Sequence, residues 1–165
     1  MRNDAEASNA TVKTLRTAWR RLRPLPGGRR IFSWLIRWMV PYSGTTRPYV
    51  EELTPGFARV RLSDRRGVRN HLHSVHAVAL ANVAELASGL AMTTALPPGV
   101  RGIVVRLSID YTKKARGTLT ASARVTVPAI AAAEDHDFES VVTDETGDVV
   151  ARATVRWRLA PASPA

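Results

Sequence analysis

The chain has 165 residues, of which 45% are hydrophobic and 23% are charged. This composition is typical of a globular domain and excludes a wholly disordered, collagen-like or coiled-coil chain. Because the sequence contains no cysteine, a disulfide framework, a cysteine nucleophile and a thiolate zinc site are also excluded. The lack of cysteine fits a reducing compartment, and a cytoplasmic location is expected.

The net charge of +10 lies mainly in the N-terminal part of the chain. Residues 1–48 contain ten Lys or Arg and two Asp or Glu, a net charge of +8, whereas residues 49–165 contain fourteen and twelve, a net charge of +2. A nearly neutral body argues against nucleic acid as the main partner, because a nucleic-acid-binding domain carries positive charge on the domain itself. The sequence therefore predicts a basic extension over residues 1–44 and a separate domain over residues 45–165.

Two helices are predicted in the extension. Residues 1–10 are small and polar, which is typical of a disordered tail. A first helix is expected from Thr11 up to Pro24, since proline and the glycine pair that follows interrupt a helix. A second helix is expected from Arg29 to Val40, with an apolar stripe at i, i+3, i+4 and i+7. The stripe contains Phe32, Leu35, Ile36 and Met39, is widened by Trp34 and Trp38, and leaves Arg30, Ser33 and Arg37 on the opposite side.

The basic and aromatic residues of the extension leave three interpretations open. The second helix can pack its tryptophans on the sheet or on a neighbouring subunit, with its arginines in solvent. Residues 11–40 can instead contact an anionic membrane surface, where aromatic and basic side chains are favoured together. The same charges can also bind nucleic acid, although their location makes this the weakest of the three.

From Thr46 onward the hydrophobic pattern has a period of two, which indicates β-strands. Turn sequences rich in Gly, Asp and Lys separate these strands, as in hairpins. An antiparallel sheet with one apolar face is therefore predicted. The apolar faces are Ala58, Val60 and Leu62 in one strand, Ile103, Val105, Leu107, Ile109 and Tyr111 in the next, then Leu119, Ala121, Ala123, Val125 and Val127, and finally Val149, Ala151, Ala153, Val155 and Trp157.

One long helix, from Ser74 to about Met92, is predicted to cover this face, with Ser74 as its N-cap. The segment is long enough to span a membrane, but His76, Asn82 and Glu85 in its interior would be costly in lipid, which indicates a buried helix. No export signal is predicted. The predicted fold class is α+β, with one antiparallel sheet wrapped around one long central helix and an N-terminal helical extension.

Glu85 lies on a polar stripe of this helix. A carboxylate in an otherwise apolar helix is costly unless it is paired, hydrated or functional. Glu85 is therefore predicted to be catalytic, paired with an arginine, or exposed at a subunit contact. At 100° per residue the stripe contains Val78, Asn82, Glu85, Gly89 and Met92, with Ala81 and Ser88 at its edges. The opposite face, predicted to pack on the sheet, contains His76, Leu80, Val83, Ala87 and Leu90.

The residues around the helix start resemble those of a known superfamily. Asn70 is followed six residues later by His76 and a further nine residues later by Glu85. This spacing resembles that of hotdog-fold acyl-CoA thioesterases of the phenylacetate-degradation type. The Arg-Asn-His sequence at residues 69–71 and the Ala-Glu-Leu-Ala-Ser-Gly sequence at residues 84–89 resemble an uncharacterised hotdog family. The resemblance covers nearly all of the predicted domain and implies a hotdog fold.

The resemblance further implies hydrolysis of an acyl-CoA or a related acyl thioester by a homodimer or homotetramer without a cofactor. In this mechanism backbone N–H groups at the helix start polarise the thioester carbonyl, and Glu85 deprotonates water or attacks directly. Two glycines of the family pattern are replaced by Ala77 and Val78, which narrows this region. The implied catalytic residues are Glu85, Asn70 and His76, and the implied substrate-binding residues are Ala77, Val78, Asn82, Ser88 and Gly89.

A single helix cannot bring the implied groups to one thioester. His76 and Glu85 lie about 13 Å apart along the helix axis and on opposite faces. A site shared by two antiparallel helices from two chains is therefore predicted, because the start of one helix then lies beside the middle of the other. The small residues beside Glu85 permit such a close approach.

Each of these roles has an alternative. Asn70 can act as a turn or capping residue, and His76 can be a packed histidine bonded to backbone. The domain can be a non-catalytic hotdog module that binds acyl groups, or a membrane-associated interaction protein. His71, His73 and His76 could share a metal ion, but no acidic cluster accompanies them in the sequence, and no metal site is predicted.

Overall fold

The computed structural model describes residues 4–162, with side chains from residue 13 onward. Its helices are α1 (Asp4–Leu22), α2 (Gly28–Met39), α3 (Pro41–Gly44) and α4 (Ala77–Ala95), and a 3-10 turn covers Arg66–Val68. Its strands are β1 (Tyr49–Thr54), β2 (Phe57–Leu62), β3 (Val100–Tyr111), β4 (Leu119–Arg124), β5 (Glu134–Thr143) and β6 (Val149–Pro161).

The six strands form one antiparallel sheet in the order β1-β2-β4-β5-β6-β3. The sheet curves around α4, which contacts all six strands. This helix is long and apolar enough to cross a membrane, yet 67% of that span is buried inside the fold, as in the core helix of a globular domain. The arrangement confirms the predicted α+β class and its single central helix.

A helix replaces most of the disordered tail that was predicted over residues 1–10. α1 begins at Asp4, and the three residues before it lie outside the described part of the chain. The alanines of this segment favour a helix, and its two acidic residues lie at the N-terminal end, where the helix dipole stabilises negative charge. Leu15 and Trp19 are buried against the domain, so the extension and the domain share one core.

The predicted second helix is present as α2, but its predicted apolar stripe is only partly buried. Phe32 and Ile36 are buried, whereas Trp34, Trp38 and Met39 are exposed, because α2 packs on α1 and β1 through one side only. Trp19 packs edge-on against Phe32 with ring centroids 5.0 Å apart.

Ser33, which was predicted on the solvent side, is also buried. Its hydroxyl donates to the Arg29 carbonyl (2.7 Å) and accepts from the Val50 N–H of β1 (2.8 Å). The predicted exposure of Ser33 is wrong because α2 covers β1. The Val50 N–H of β1 is then shielded from water and needs a protein acceptor, which the Ser33 hydroxyl provides.

A β-bulge at Val105 divides the apolar face predicted for β3. Ile103 pairs with Arg158 on the outer surface of the sheet, whereas Leu107 pairs with the buried Val155 on the helix side. The prediction of one continuous apolar face is therefore wrong. The inserted residue shifts the alternation by one position. Ile103 and Leu107, which regular alternation would place on one face, therefore point to opposite faces of the sheet.

Candidate active site at the start of the central helix

Asn70 holds the loop before α4 closed. Its side-chain oxygen accepts hydrogen bonds from the Leu72 N–H (2.9 Å), the Ser74 N–H (3.2 Å) and the Ser74 hydroxyl (3.2 Å). These bonds stabilise a loop that passes through the left-handed backbone region at His73 (φ 54°). Within the described part of the chain, the Nδ2 group of Asn70 donates no hydrogen bond. Asn70 is thus a turn residue whose amide nitrogen is available to a ligand.

His76, rather than Ser74, caps the N-terminus of α4. Its Nδ1 accepts a hydrogen bond from the Val78 N–H (3.1 Å), and its carbonyl accepts from the Ala79 N–H (2.9 Å). Because Nδ1 is an acceptor, the neutral ring carries its proton on Nε2. The Ala77 N–H makes no hydrogen bond to any described residue. One of the two N–H groups predicted to hold the carbonyl is therefore occupied, and the other lies open at the positive end of the helix dipole.

Tyr111, at the end of β3, reaches the same helix start. Its hydroxyl donates to the Ala77 carbonyl (3.0 Å). Burial raises the pKa of this hydroxyl, which keeps it a neutral donor at physiological pH. From the sequence, Tyr111 was predicted only as one of the apolar residues of its strand. Its contact with Ala77 arises because β3 lies beside α4.

A cleft of about 220 Å³ opens beside the helix start. His76, Val78 and Asn82 line it from α4, and the facing wall includes Tyr42 and Arg69. No local motif distinguishes Tyr42 in the sequence, and Arg69 stands out there only as the first residue of the Arg-Asn-His sequence. Both reach the cleft only because α3 and the loop after β2 pack beside the first turns of α4.

Asn82 joins this part of α4 to α3. It is buried, its Oδ1 accepts from the Thr46 hydroxyl (3.1 Å), and its Nδ2 donates to the Ser43 hydroxyl (3.2 Å). A buried amide with both groups bonded fixes the elements that it joins. Asn82 therefore positions one wall of the cleft, and its contact with substrate stays a prediction.

Glu85 lies half-buried in the middle of α4, on a stripe that the sheet leaves uncovered. Among the described residues it makes no ion pair and no side-chain hydrogen bond, so the arginine partner considered from the sequence is not found there. Burial raises the pKa of its carboxyl group. Gly89 lies one turn later, and a Cβ at that position would be 3.8 Å from the Glu85 Oε1. A methyl group at position 89 would therefore lie in ordinary van der Waals contact with the Glu85 carboxyl group.

Three residues of the predicted polar stripe are buried, Asn82 beneath α3 and Ser88 and Met92 in the core. Ser88 is fully buried and accepts a hydrogen bond from the Trp157 Nε1 (3.0 Å), and Met92 is fully buried as well. His76, predicted on the sheet face, is instead exposed at the helix start. The remainder of that face is buried as predicted, namely Leu80, Val83, Ala87 and Leu90. The stripe left uncovered is therefore narrower and contains Val78, Ala81, Glu85 and Gly89.

Within one chain the two halves of the predicted site are separate. The cleft contains His76 and Val78 but not Glu85. Glu85 lies about 13 Å farther along the helix axis than His76. Over the described residues, no group of three or more His, Asp or Glu side chains is arranged to hold a metal ion. The chain presents a helix start that can bind a developing oxyanion and, apart from it, a carboxyl group that can accept a proton.

Comparison with known proteins places these features in a family context. The sequence matches the family described as a domain of unknown function (DUF4442) over residues 28–159. No curated protein matches the chain significantly.

Three crystal structures illustrate the structural likeness. The genomics target APC5556 is 30% identical, with a TM-score of 0.78 over 90% of this chain and 98% of that one. A Pseudomonas aeruginosa protein of unknown function, named a probable thioesterase, is 25% identical, with a TM-score of 0.72 over 83% of this chain and 97% of that one. A mutant thioesterase from Staphylococcus aureus is 12% identical, with a TM-score of 0.64 over 73% and 99% of the two chains, and shows similarity of fold alone.

Proposed function

The chain belongs to the DUF4442 family and has the hotdog fold, and on that premise we propose that it hydrolyses acyl thioesters, with acyl-CoA as the substrate class. The observation that carries the proposal is Glu85, a half-buried carboxyl group with a raised pKa and no partner in the described chain. Such a group costs stability and is typical of an acid, base or nucleophile. The likeness to the Pseudomonas aeruginosa protein named a probable thioesterase supports the same activity.

The helix start and Glu85 divide the chemistry between them. The thioester carbonyl oxygen accepts a hydrogen bond from the Ala77 N–H, and the helix dipole stabilises the charge that develops on it. The Glu85 carboxylate takes a proton from water, whose oxygen forms the new bond to the carbonyl carbon. The carbon–sulfur bond then breaks, and the leaving thiolate receives the proton held by Glu85. The Nδ2 group of Asn70 and the Nε2–H group of His76 donate hydrogen bonds that orient the thioester.

A second copy of the chain is needed to bring these two halves together. β3 is a twelve-residue strand at the edge of the sheet. Stable proteins cover long apolar edge strands of this kind. We infer that β3 and the uncovered stripe of α4 pack against a two-fold-related copy, so that the helix start of one chain meets Glu85 of the other. On the helix side of β3, the exposed apolar residues after the bulge are Leu107 (38%) and Tyr111 (47%).

The first experiment is a hydrolysis screen of the purified protein with short-chain, long-chain and aromatic acyl-CoA substrates. We expect turnover of at least one class and its loss in Glu85→Gln. Binding of acyl-CoA without turnover of any class would overturn the enzymatic proposal. That outcome would favour the alternative of a non-catalytic acyl-binding module, for which the occupied N–H of Val78 is the supporting observation.

A mixing experiment tests the shared site. Glu85→Ala and Asn70→Ala chains are each expected to be inactive as pure dimers. In a mixed dimer one site combines an intact Glu85 with an intact Asn70, so random pairing of equal amounts should restore about a quarter of wild-type activity. If subunit exchange is demonstrated and no activity returns, while both variants remain folded, the shared site is refuted.

A further inference from the structure

An exposed aromatic face, made of Ile31, Trp34, Trp38 and Tyr42, lies on α2 and α3. These side chains are 50%, 56%, 72% and 68% exposed, respectively. At 100° per residue the three α2 members lie within about 60° of one another, away from the side that packs on the core. Side chains of this size normally contribute to the core, and an exposed cluster of them marks an interaction surface.

The aromatic face lies in a strongly positive part of the chain. Residues 13–48 contain nine Lys or Arg and no Asp or Glu. Arg30 and Arg37 were predicted opposite the apolar stripe, but they border the aromatic face, about 40° and 60° from Trp34 around the axis of α2. None of the nine basic residues makes a salt bridge within the described part of the chain. The face thus combines apolar rings with positive charge that has no acidic partner in the chain.

Arginines gather at the end of the aromatic face that lies nearest the cleft. Arg65 donates to the Thr45 carbonyl. Burial, together with the like charges of Arg47 and Arg37, lowers the pKa of Arg65. Mutual repulsion of this kind is relieved when an anion binds, so the cluster favours a negatively charged partner.

The aromatic face is continuous with the cleft at the helix start. An open groove of about 520 Å³ runs between Trp34, Trp38 and α3. Thr45 lines both this groove and the cleft, and Tyr42 lines the cleft as well. A partner seated on the aromatic face therefore lies beside the mouth of the cleft.

We propose that the aromatic face docks the protein on an anionic lipid bilayer, with Trp34 and Trp38 at the boundary between headgroups and acyl chains and the arginines on lipid phosphates. Tryptophan and arginine are the side chains that this boundary favours. A second copy is disfavoured as the occupant, because two surfaces of the same strong positive charge would then face each other. The docking does not depend on catalysis. In the docked protein the mouth of the cleft would face acyl chains held in the membrane.

The test is co-sedimentation of the full chain with vesicles of phosphatidylcholine alone and of phosphatidylcholine mixed with phosphatidylglycerol. We expect binding only to the mixed vesicles, weakening as salt concentration rises. Trp34→Ser/Trp38→Ser should abolish binding, leaving thermal stability and the turnover of soluble short-chain substrate unchanged. The matched control Ile103→Ser, exposed on β3, should bind as the wild type does.

Charge variants and tryptophan fluorescence provide two further measurements of docking. Arg30→Gln/Arg37→Gln should bind the mixed vesicles about thirtyfold more weakly, since each arginine near an anionic surface contributes about 1 kcal/mol. The control Arg101→Gln/Lys114→Gln removes the same charge from other exposed positions and should bind normally. Tryptophan emission should shift to the blue on binding.

Three results would overturn the proposal. The first is absence of wild-type binding to the mixed vesicles. The second is binding retained by Trp34→Ser/Trp38→Ser. The third is self-association, or tighter binding to a single-stranded oligonucleotide than to vesicles, that depends on Trp34 and Trp38, because it would assign the aromatic face to a protein or nucleic-acid partner. Each of these results leaves the hydrolysis screen, and hence the proposed function, unaffected.

Discussion

Replacing Glu85 with glutamine tests the proposed chemistry at a single atom. Glutamine keeps the size and shape of the side chain but cannot accept the proton from water. We expect kcat/KM to fall at least a hundredfold, which corresponds to about 2.7 kcal/mol of lost transition-state stabilisation. Because Glu85 makes no ion pair within the described residues, the change breaks no bond there that would confuse the result.

The stability of the same variant gives a second, independent result. Burial raises the folded-state pKa of Glu85 above its ordinary value of 4.5, so the charged form is less stable in the folded chain than in the unfolded one. The wild type is therefore expected to lose stability as pH rises from the unfolded pKa through the folded one, whereas Glu85→Gln does not. The two proteins should unfold at similar temperatures at pH 4, and the variant should be the more stable at pH 7.

Both results are measured on purified protein, by hydrolysis of an acyl-CoA and by thermal unfolding at several pH values. The matched control is Glu139→Gln, which removes an exposed carboxylate 3.1 Å from Arg152 on the outer face of the sheet. An exposed pair of this kind contributes less than about 1 kcal/mol, and the control should keep wild-type activity. Turnover retained in Glu85→Gln, together with a lower unfolding temperature at pH 7, would refute the reasoning and assign Glu85 to a structural contact.

Three further changes address the helix and its surroundings. Gly89→Ala should raise stability by up to about 1 kcal/mol through helix propensity but lower kcat/KM, because the added Cβ lies 3.8 Å from the Glu85 Oε1; unchanged kinetics would place the thioester elsewhere. Asn70→Asp keeps the oxygen that closes the loop but loses Nδ2, so we expect near-normal unfolding with at least tenfold lower activity, and full activity would restrict Asn70 to holding the loop. Phe32→Ala should lower the free energy of unfolding in urea by about 3–5 kcal/mol, whereas a loss below about 1 kcal/mol would show that α2 contributes little to the core.

The elements of the fold could be predicted from the sequence because their patterns are local. The period-two alternation around Val60 and within β4 and β6, and the small-residue run of α4, each follow from which side chains one element must bury. The hotdog fold was implied by a family resemblance, which combines the spacing of Asn70, His76 and Glu85 with the predicted order of helices and strands. These features depend on neighbours close in sequence.

The tertiary structure decided the properties that depend on distant neighbours. The bulge at Val105 exchanges the two faces of β3, and alternation alone carries no sign of an inserted residue. Ser33 is buried because β1 presents a donor to it, and Ser88 is buried because Trp157 presents another. The sequence also gave no reason to expect Tyr111 at the start of α4.

The same distinction applies to the site as a whole. From the sequence alone, Glu85 could be a paired, a catalytic or an interfacial carboxylate, because a helical pattern shows which residues share a face but not what lies opposite that face. The tertiary structure brings no arginine to it among the described residues and leaves its stripe uncovered. Whether a side chain is buried, paired or open to a ligand depends on the packing of elements far apart in the chain, and so only the assembled fold determines it.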